Sequence, residues 1–482
     1  MKTHLLRTFT KLGLLVAVLG LSVLTLCAKP KSVLVVTTTT GFRHSSIETA
    51  EKVIANLGQS SGAFTVDFAR VSPNSAEFKG ADGKMDKGKY EEAIKKVLAE
   101  TMSNDALKKY DGVIFANTTG DLPLPDKAAF LDWIKAGHAF AGMHSCSDTF
   151  HGYPPFIEML GGEFLTHGAQ VSVDCINMDA QHPSAKHFPG SWTVFDEIYI
   201  QKNFHRNQVH GLLTLDKHPN TGKPGDYPIS WSKQVGKGRV FYTALGHRED
   251  VWDPEWKDRK NSPEVALAYQ AHILGGIKWA LGLEKGDAAP QSTRVKLSRE
   301  EARDGFRALF NGEDLTGWKL RNPGGRASWS AQNGMLVNEV DKEHGTDLVS
   351  EETFRDFTAR YEYLVPKGSN SGFYLRGRHE VQILEDYGSA NPSPGNNGGI
   401  YSIKAPSQNA SRKPGEWQQA EVTIKGNLVT VILNGVKIHD NVEVNKPTGG
   451  ELDGNVDQPG PILLQGDHGA IAFRNIRIKP LK

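Results

Sequence analysis

The sequence predicts an α/β domain with a parallel sheet, followed by an all-β sandwich. Three observations carry this. Between Lys31 and Leu283 short apolar runs alternate with helical patterns, as strands joined by crossover helices require. From Gly305 to Lys482 nearly every segment alternates with period two and closes on Gly, Pro or Asn. Between them, residues 284–304 (EKGDAAPQSTRVKLSREEARD) hold no sustained apolar period and include Pro290, which marks a linker.

Ahead of the first domain, Lys2, His4, Arg7 and Lys11 precede an apolar run from Leu12 to Cys27, the order of a secretory signal over residues 1–28. A periplasmic or secreted protein is expected. The run is too short and too poorly flanked for a membrane span, and no comparable apolar segment follows, so none is expected in the mature chain. Lipoprotein anchoring through Cys27 is the lesser reading, because Leu26 fits that processing poorly. Cys146 and Cys175 are then too few for a disulfide framework. A net charge of +1 over 482 residues gives no electrostatic basis for binding nucleic acid.

In the first half, Ser32 to Thr38 reads as a buried strand, Ile47 to Leu57 as a helix, and Phe64 to Val71, Gly112 to Asn117 and Ala139 to Met143 as further strands. Parallel strands with right-handed crossovers place a site at their C-terminal ends. The residues just past those ends are His44, then Asn117, Thr118 and Asp121, then His144; His247 follows the strand Arg239 to Leu245. His44, Asp121, His144 and His247 therefore form a candidate site, and the three histidines could hold a divalent metal ion. The alternative is that each histidine merely caps its loop through hydrogen bonds. No other cofactor is indicated.

The stretch GMHSC, Gly142 to Cys146, has the strand-to-turn form of a nucleophile elbow, with His144 where a hydrolase places Ser or Cys. Imidazole is a poorer covalent nucleophile than an activated thiolate, which argues against acyl-enzyme chemistry. Cys146 reads as a small packed side chain. The pieces VLVVTTTTGFRHSS, DGVIFANTTGD, AFAGMHSCSDT and GKGRVFYTALGH make this half resemble the ThuA-like, or trehalose-utilisation, domain. The resemblance implies a flavodoxin-like sheet related to class I glutamine amidotransferases and a link to carbohydrate metabolism, without a defined reaction.

In the second half, alternation across Ser371 to Glu385 puts Phe373, Leu375, Val381 and Ile383 on one face, and Tyr374, Arg376, Arg378, Glu380 and Gln382 on the other. A solvated sheet exterior is one reading of the polar row. The other is a recessed pocket for a neutral polyhydroxylated ligand, since hydroxyls need fixed polar partners and the sugar's CH face stacks on aromatics. Strands also fit Phe357 to Val365, Trp417 to Ile424, Leu428 to Leu433 and Ala470 to Ile478, with Asn434-Gly435 a hairpin turn. Gln465, Asp467 and His468 lie in a loop entering the last strand, where an Asp-His pair serves acid–base chemistry or caps the turn.

The motifs GFRALFNGEDLTGW, NSGFYLRG, HEVQILE, RKPGEWQQAEVTIKG and QGDHGAIAFRNIRIKPL make residues 305–482 resemble the 3-keto-disaccharide hydrolase domain. The resemblance implies a concanavalin-like sandwich, or jelly roll, and cleavage of glycosides whose glucose unit is oxidised at carbon 3. A 3-ketone acidifies the hydrogen on carbon 2, so a base can remove it and the enolate can expel the glycosidic oxygen. Glu380 is the expected base, and His468 the alternative base or the acid. Arg376, Arg378 or a divalent ion would stabilise the enolate. Tyr374, Gln382 and Asn370 would position hydroxyls, with Gln465 and Asp467 beside them. His379, where that family is expected to carry an aromatic residue, reads as a core histidine. A non-catalytic carbohydrate-binding protein, or a catalytic first half served by a sugar-binding sandwich, are the competing readings.

Overall fold

The computed structural model describes residues 29–80, 82, 84–340 and 345–481, so the signal segment 1–28 lies outside the described residues. Its first strand, β1 (Lys31–Val36), shows why a continuous apolar run was needed. Val33 and Val35 enter one hydrophobic cluster while Leu34 and Val36 enter another, so both faces of the strand are covered. The same division recurs along β3 (Gly112–Ala116), where Ile114 packs on one side and Phe115 on the other.

With β2 (Phe64–Ala69), β4 (Ala139–Met143) and β11 (Gly238–Thr243), these strands pair in the order β2-β1-β3-β4-β11, all parallel. The helix over Ile47–Ser61 makes the first crossover. Beyond β11 the sheet departs from the parallel expectation. It continues antiparallel through β10 (Pro224–Val235), β9 (His210–Lys217), β6 (Val171–Asn177) and β7 (Ser191–Asp196), to nine strands. The connection from β10 to β11 is too short for a crossover helix, and Gly236 with φ 61° turns it.

The C-terminal part stacks a five-stranded sheet on an eight-stranded one. Alternate residues of both supply the core between them: Phe357, Ala359, Tyr361 and Tyr363 from one, Phe373, Leu375, Val381 and Ile383 from the other. Tyr361 and Phe373 stack across the gap with ring centroids 3.9 Å apart. The hairpin turn at Asn434 and Gly435 has positive φ at both residues, and pairs Leu433 with Val436 as expected.

Of residues 284–304, the stretch around Asp287 to Gln291 lies along the first sheet, whereas Val295 and Glu301 bond Asn311 and Arg477 of the second part. The Gln291 amide exchanges two hydrogen bonds with the Gly211 backbone, and a capping box at Ser298 starts a short helix, Arg299–Arg303. The two parts also touch directly. Trp417 Nε1 donates to Asp216 (2.6 Å) and Lys217 Nζ to the Gly415 carbonyl (2.7 Å). Among the described residues no helix is long and apolar enough to cross a membrane.

Candidate functional site

Two polar centres emerge, one in each part. The first sits at the C-terminal ends of the parallel strands. His44 arrives on the loop after β1, His144 directly after β4 and His247 after β11, so the strand order brings the three rings together. Their centroids lie 4.7 Å (His44–His144), 5.2 Å (His44–His247) and 5.2 Å (His144–His247) apart. His144 occupies the elbow with φ 46°, and Gly142 lets the chain fold back, since a β-carbon there would lie 2.7 Å from Cys146 Sγ. Cys146 is fully buried and burial pushes its thiol well up, so it is packing.

The loops are tied together underneath. Asn117 Nδ2 donates to Ser46 Oγ (2.8 Å) and to the Gly246 carbonyl (3.0 Å), while Asp196 accepts from the Gly246 (2.7 Å) and Arg248 (3.2 Å) amides. Asp121 is not part of the centre. It follows the turn at Gly120, lies exposed and pairs with Lys127. The carboxylate present is Glu197, just past β7: it is 3.2 Å from His247 Nδ1, 3.1 Å from His167 Nδ1 and 3.9 Å from His144 Nε2. Glu197 went unseen in the sequence because β7 belongs to the antiparallel extension.

Burial, reinforced by the neighbouring His247, lowers the His44 pKa to about 4, and burial takes His144 well below the ordinary value. For His247, burial acts downward, but the Glu197 carboxylate beside it outweighs this and raises the pKa. One ligand atom from each of His44, His144, Glu197 and His247 can be chosen so that all lie within 4.8 Å of one another.

The second centre lies on the outer face of the five-stranded sheet. Ser371 to Glu385 is a tight hairpin rather than one strand: Asn370–Leu375 pairs antiparallel with His379–Leu384. Tyr374 opposes Glu380 and Gly372 opposes Gln382, so these residues still share the outer face, while His379 is buried on the core side. Arg376 and Arg378 fall in the connecting turn, where Arg376 and Gly377 have positive φ and strand alternation does not apply. Both guanidinium groups are consumed. Arg376 bonds Asp356 (2.9 Å) and the carbonyls of Arg355, Val456 and Gly426; Arg378 grips Asp453 with two bonds (2.7 and 3.0 Å) and reaches the Arg376 and Gln458 carbonyls. They hold loops, and enolate stabilisation by either is withdrawn.

Glu380 is 3% exposed. Its carboxyl lies over Gly372, where any β-carbon would collide with Oε1, and Tyr374 hydrogen-bonds it. Burial, with Asp347 and Asp467 nearby, raises its pKa to about 7 against the lowering by Tyr374. Asp347 was not anticipated; it precedes the strand Leu348–Phe354 and accepts from Arg321 (3.0 Å) and the Gly466 amide (3.0 Å). The Gln465 backbone N–H donates to the Gly372 carbonyl, and the side-chain oxygens of Asn370 and Gln465 are buried without a partner. Asp467 and His468 pair at the exposed rim. Gln382 is less available, because its Oε1 accepts from the Ile383 amide and its backbone pairs with Gly398 and Gly399. The row faces neither open solvent nor a second sheet. The loop carrying Thr448, Gly450 and Leu452 covers it, with Thr448 Oγ1 accepting from the Glu380 amide (2.9 Å) and Leu452 packed against Tyr374.

Comparison with known proteins matches residues 32–280 to the family described as trehalose utilisation (ThuA), and residues 305–479 to the 3-keto-alpha-glucoside-1,2-lyase-like domain. A Bacteroides thetaiotaomicron protein named 3-keto-disaccharide hydrolase is 28% identical, over 37% of this chain and 79% of that one. A Parabacteroides distasonis structure described as a candidate glycosyl hydrolase is 33% identical, over 37% of this chain and 84% of that one, with a TM-score of 0.32. A candidate ThuA-like protein from Parabacteroides merdae is 18% identical, over 55% of this chain and 98% of that one, with a TM-score of 0.39.

Proposed function

Since the chain belongs to the trehalose-utilisation (ThuA) family and carries a 3-keto-alpha-glucoside-1,2-lyase-like domain, we propose that it is an exported carbohydrate-active enzyme cleaving 3-keto-glucosides in its C-terminal sandwich. The observation that carries this reading is Glu380, a buried carboxyl hydrogen-bonded by Tyr374, whose pKa burial and the nearby Asp347 and Asp467 raise to about 7. The name of the Bacteroides relative supports the substrate class.

In the reaction, the Glu380 carboxylate takes the hydrogen from carbon 2 of the sugar, and the electron pair moves into an enolate on the ketone oxygen. That pair returns to form a double bond between carbons 1 and 2, and the bond from carbon 1 to the glycosidic oxygen breaks. The leaving oxygen takes a proton from His468, whose ring Asp467 orients. Water adding across the new double bond gives net hydrolysis. With the two arginines engaged elsewhere, the unpartnered side-chain oxygens of Asn370 and Gln465 are left to accept hydrogen bonds from the sugar's hydroxyl groups.

The test is a product assay on 3-keto-glucosides and their unoxidised parents. Aglycone should leave the keto-sugars alone, and Glu380→Gln should lower turnover at least about a hundredfold. Wild-type turnover in Glu380→Gln would remove Glu380 from the mechanism. A second reading, chemistry in the first part, is favoured by the histidine cluster; it requires Glu380→Gln to be active and His144→Ala to be inactive.

A further inference from the structure

We propose that His44, His144, His247 and Glu197 bind one divalent transition-metal ion, of the zinc class, with one side left open. The central observation is the tautomer of His144. Its Nδ1 lies 2.8 Å from the Ala244 carbonyl oxygen, which can only accept, so Nδ1 carries the hydrogen and Nε2 presents a lone pair. That nitrogen is fully buried, has no hydrogen-bond partner, and sits 3.9 Å from a Glu197 carboxylate oxygen. Two electron-rich atoms facing each other in a buried space repel, and a cation between them removes the conflict. A backbone carbonyl holding the far nitrogen of a ligating histidine is also the outer-shell arrangement that fixes ring orientation at metal centres.

The rest of the cluster fits. His44 places its Nδ1 3.2 Å from Ser145 Oγ, which leaves Nε2 for the ion. The four ligand atoms lie within 4.8 Å of one another, whereas the ligands of a tetrahedral zinc stand roughly 3.4 Å apart. Closing the widest pair takes roughly 0.7 Å per side chain, a rotamer-scale shift. Three imidazoles and one carboxylate suit zinc and its neighbours, and are too nitrogen-rich for magnesium or calcium. His167, 3.1 Å from the other Glu197 oxygen, orients the carboxylate. The His247 side chain is 21% exposed and Phe42 beside His44 is 68% exposed, so solvent reaches that side and a water or a substrate oxygen would join as a fifth ligand.

The experiment strips the full chain with a chelator, then titrates Zn²⁺ by calorimetry and counts bound metal by elemental analysis. One equivalent should bind, and thermal stability should rise with free Zn²⁺. His247→Ala, at the more open edge, and Glu197→Gln, which keeps the side chain's shape, should each weaken binding at least about tenfold while circular dichroism stays native, and His144→Ala should weaken it further. His187→Ala, outside the cluster, should still bind one equivalent. A folded wild-type chain taking up no stoichiometric Zn²⁺, or cluster variants binding as wild type does, would overturn the proposal.

Discussion

A single glycine decides where the Glu380 carboxyl can stand. Gly372 leaves the space that the Glu380 carboxyl fills, and the carboxyl, removed from water there, holds its proton to about pH 7. The sign of its effect on stability follows. Below about pH 4.5 the group is protonated whether folded or not. Between there and about 7 only the native state keeps the proton, so stability falls as pH rises, then levels off. Relative to Glu380→Gln, wild type should lose on the order of 3 kcal/mol across that window, read from denaturant midpoints at pH 4 and pH 8. Turnover should move the opposite way, rising through about pH 7 as the base becomes available. The residue types were legible in the sequence, because Glu380 and Tyr374 stand where alternation placed them. The raised pKa was not, since it comes first from burial and then from Asp347 and Asp467, which lie far away along the chain.

At the scale of elements, the hairpin Asn370–Leu375 and His379–Leu384 explains both what alternation predicted and what it missed. Cross-strand pairing keeps Tyr374 beside Glu380, yet the three-residue turn sends Arg376 and Arg378 away from their face to hold two distant loops. Arg376→Met should therefore act on folding: leaving Asp356 and three carbonyls without their buried partner costs about 3 kcal/mol. The drop would appear in the unfolding midpoint, with kcat of the folded fraction near wild type. A large fall in kcat at unchanged stability would restore the arginine to the chemistry. In the first part, the parallel strand ends were readable from the sequence and brought His44, His144 and His247 together. Their fourth companion was hidden, because Glu197 reaches the centre from antiparallel strands whose short connections carry no crossover signal.

Across the whole molecule, one hydrophobic cluster fills the space between the sandwich sheets, while two clusters cover the faces of the nine-stranded sheet. Polar contacts such as Trp417 to Asp216 join the parts, each of which keeps its own centre. The composition break at 284–304 was visible in the sequence; the packing of its first stretch along the first sheet, through Gln291, was not. The proposed cleavage depends on removal of the carbon-2 hydrogen through Glu380. Reaction of a 3-keto-glucoside in D₂O, with an enzyme-free control for spontaneous exchange, tests this by mass spectrometry. The sugar product should carry deuterium at carbon 2, or have lost that hydrogen to the double bond, and Glu380→Gln should yield neither. A product that keeps its original carbon-2 hydrogen would contradict the account.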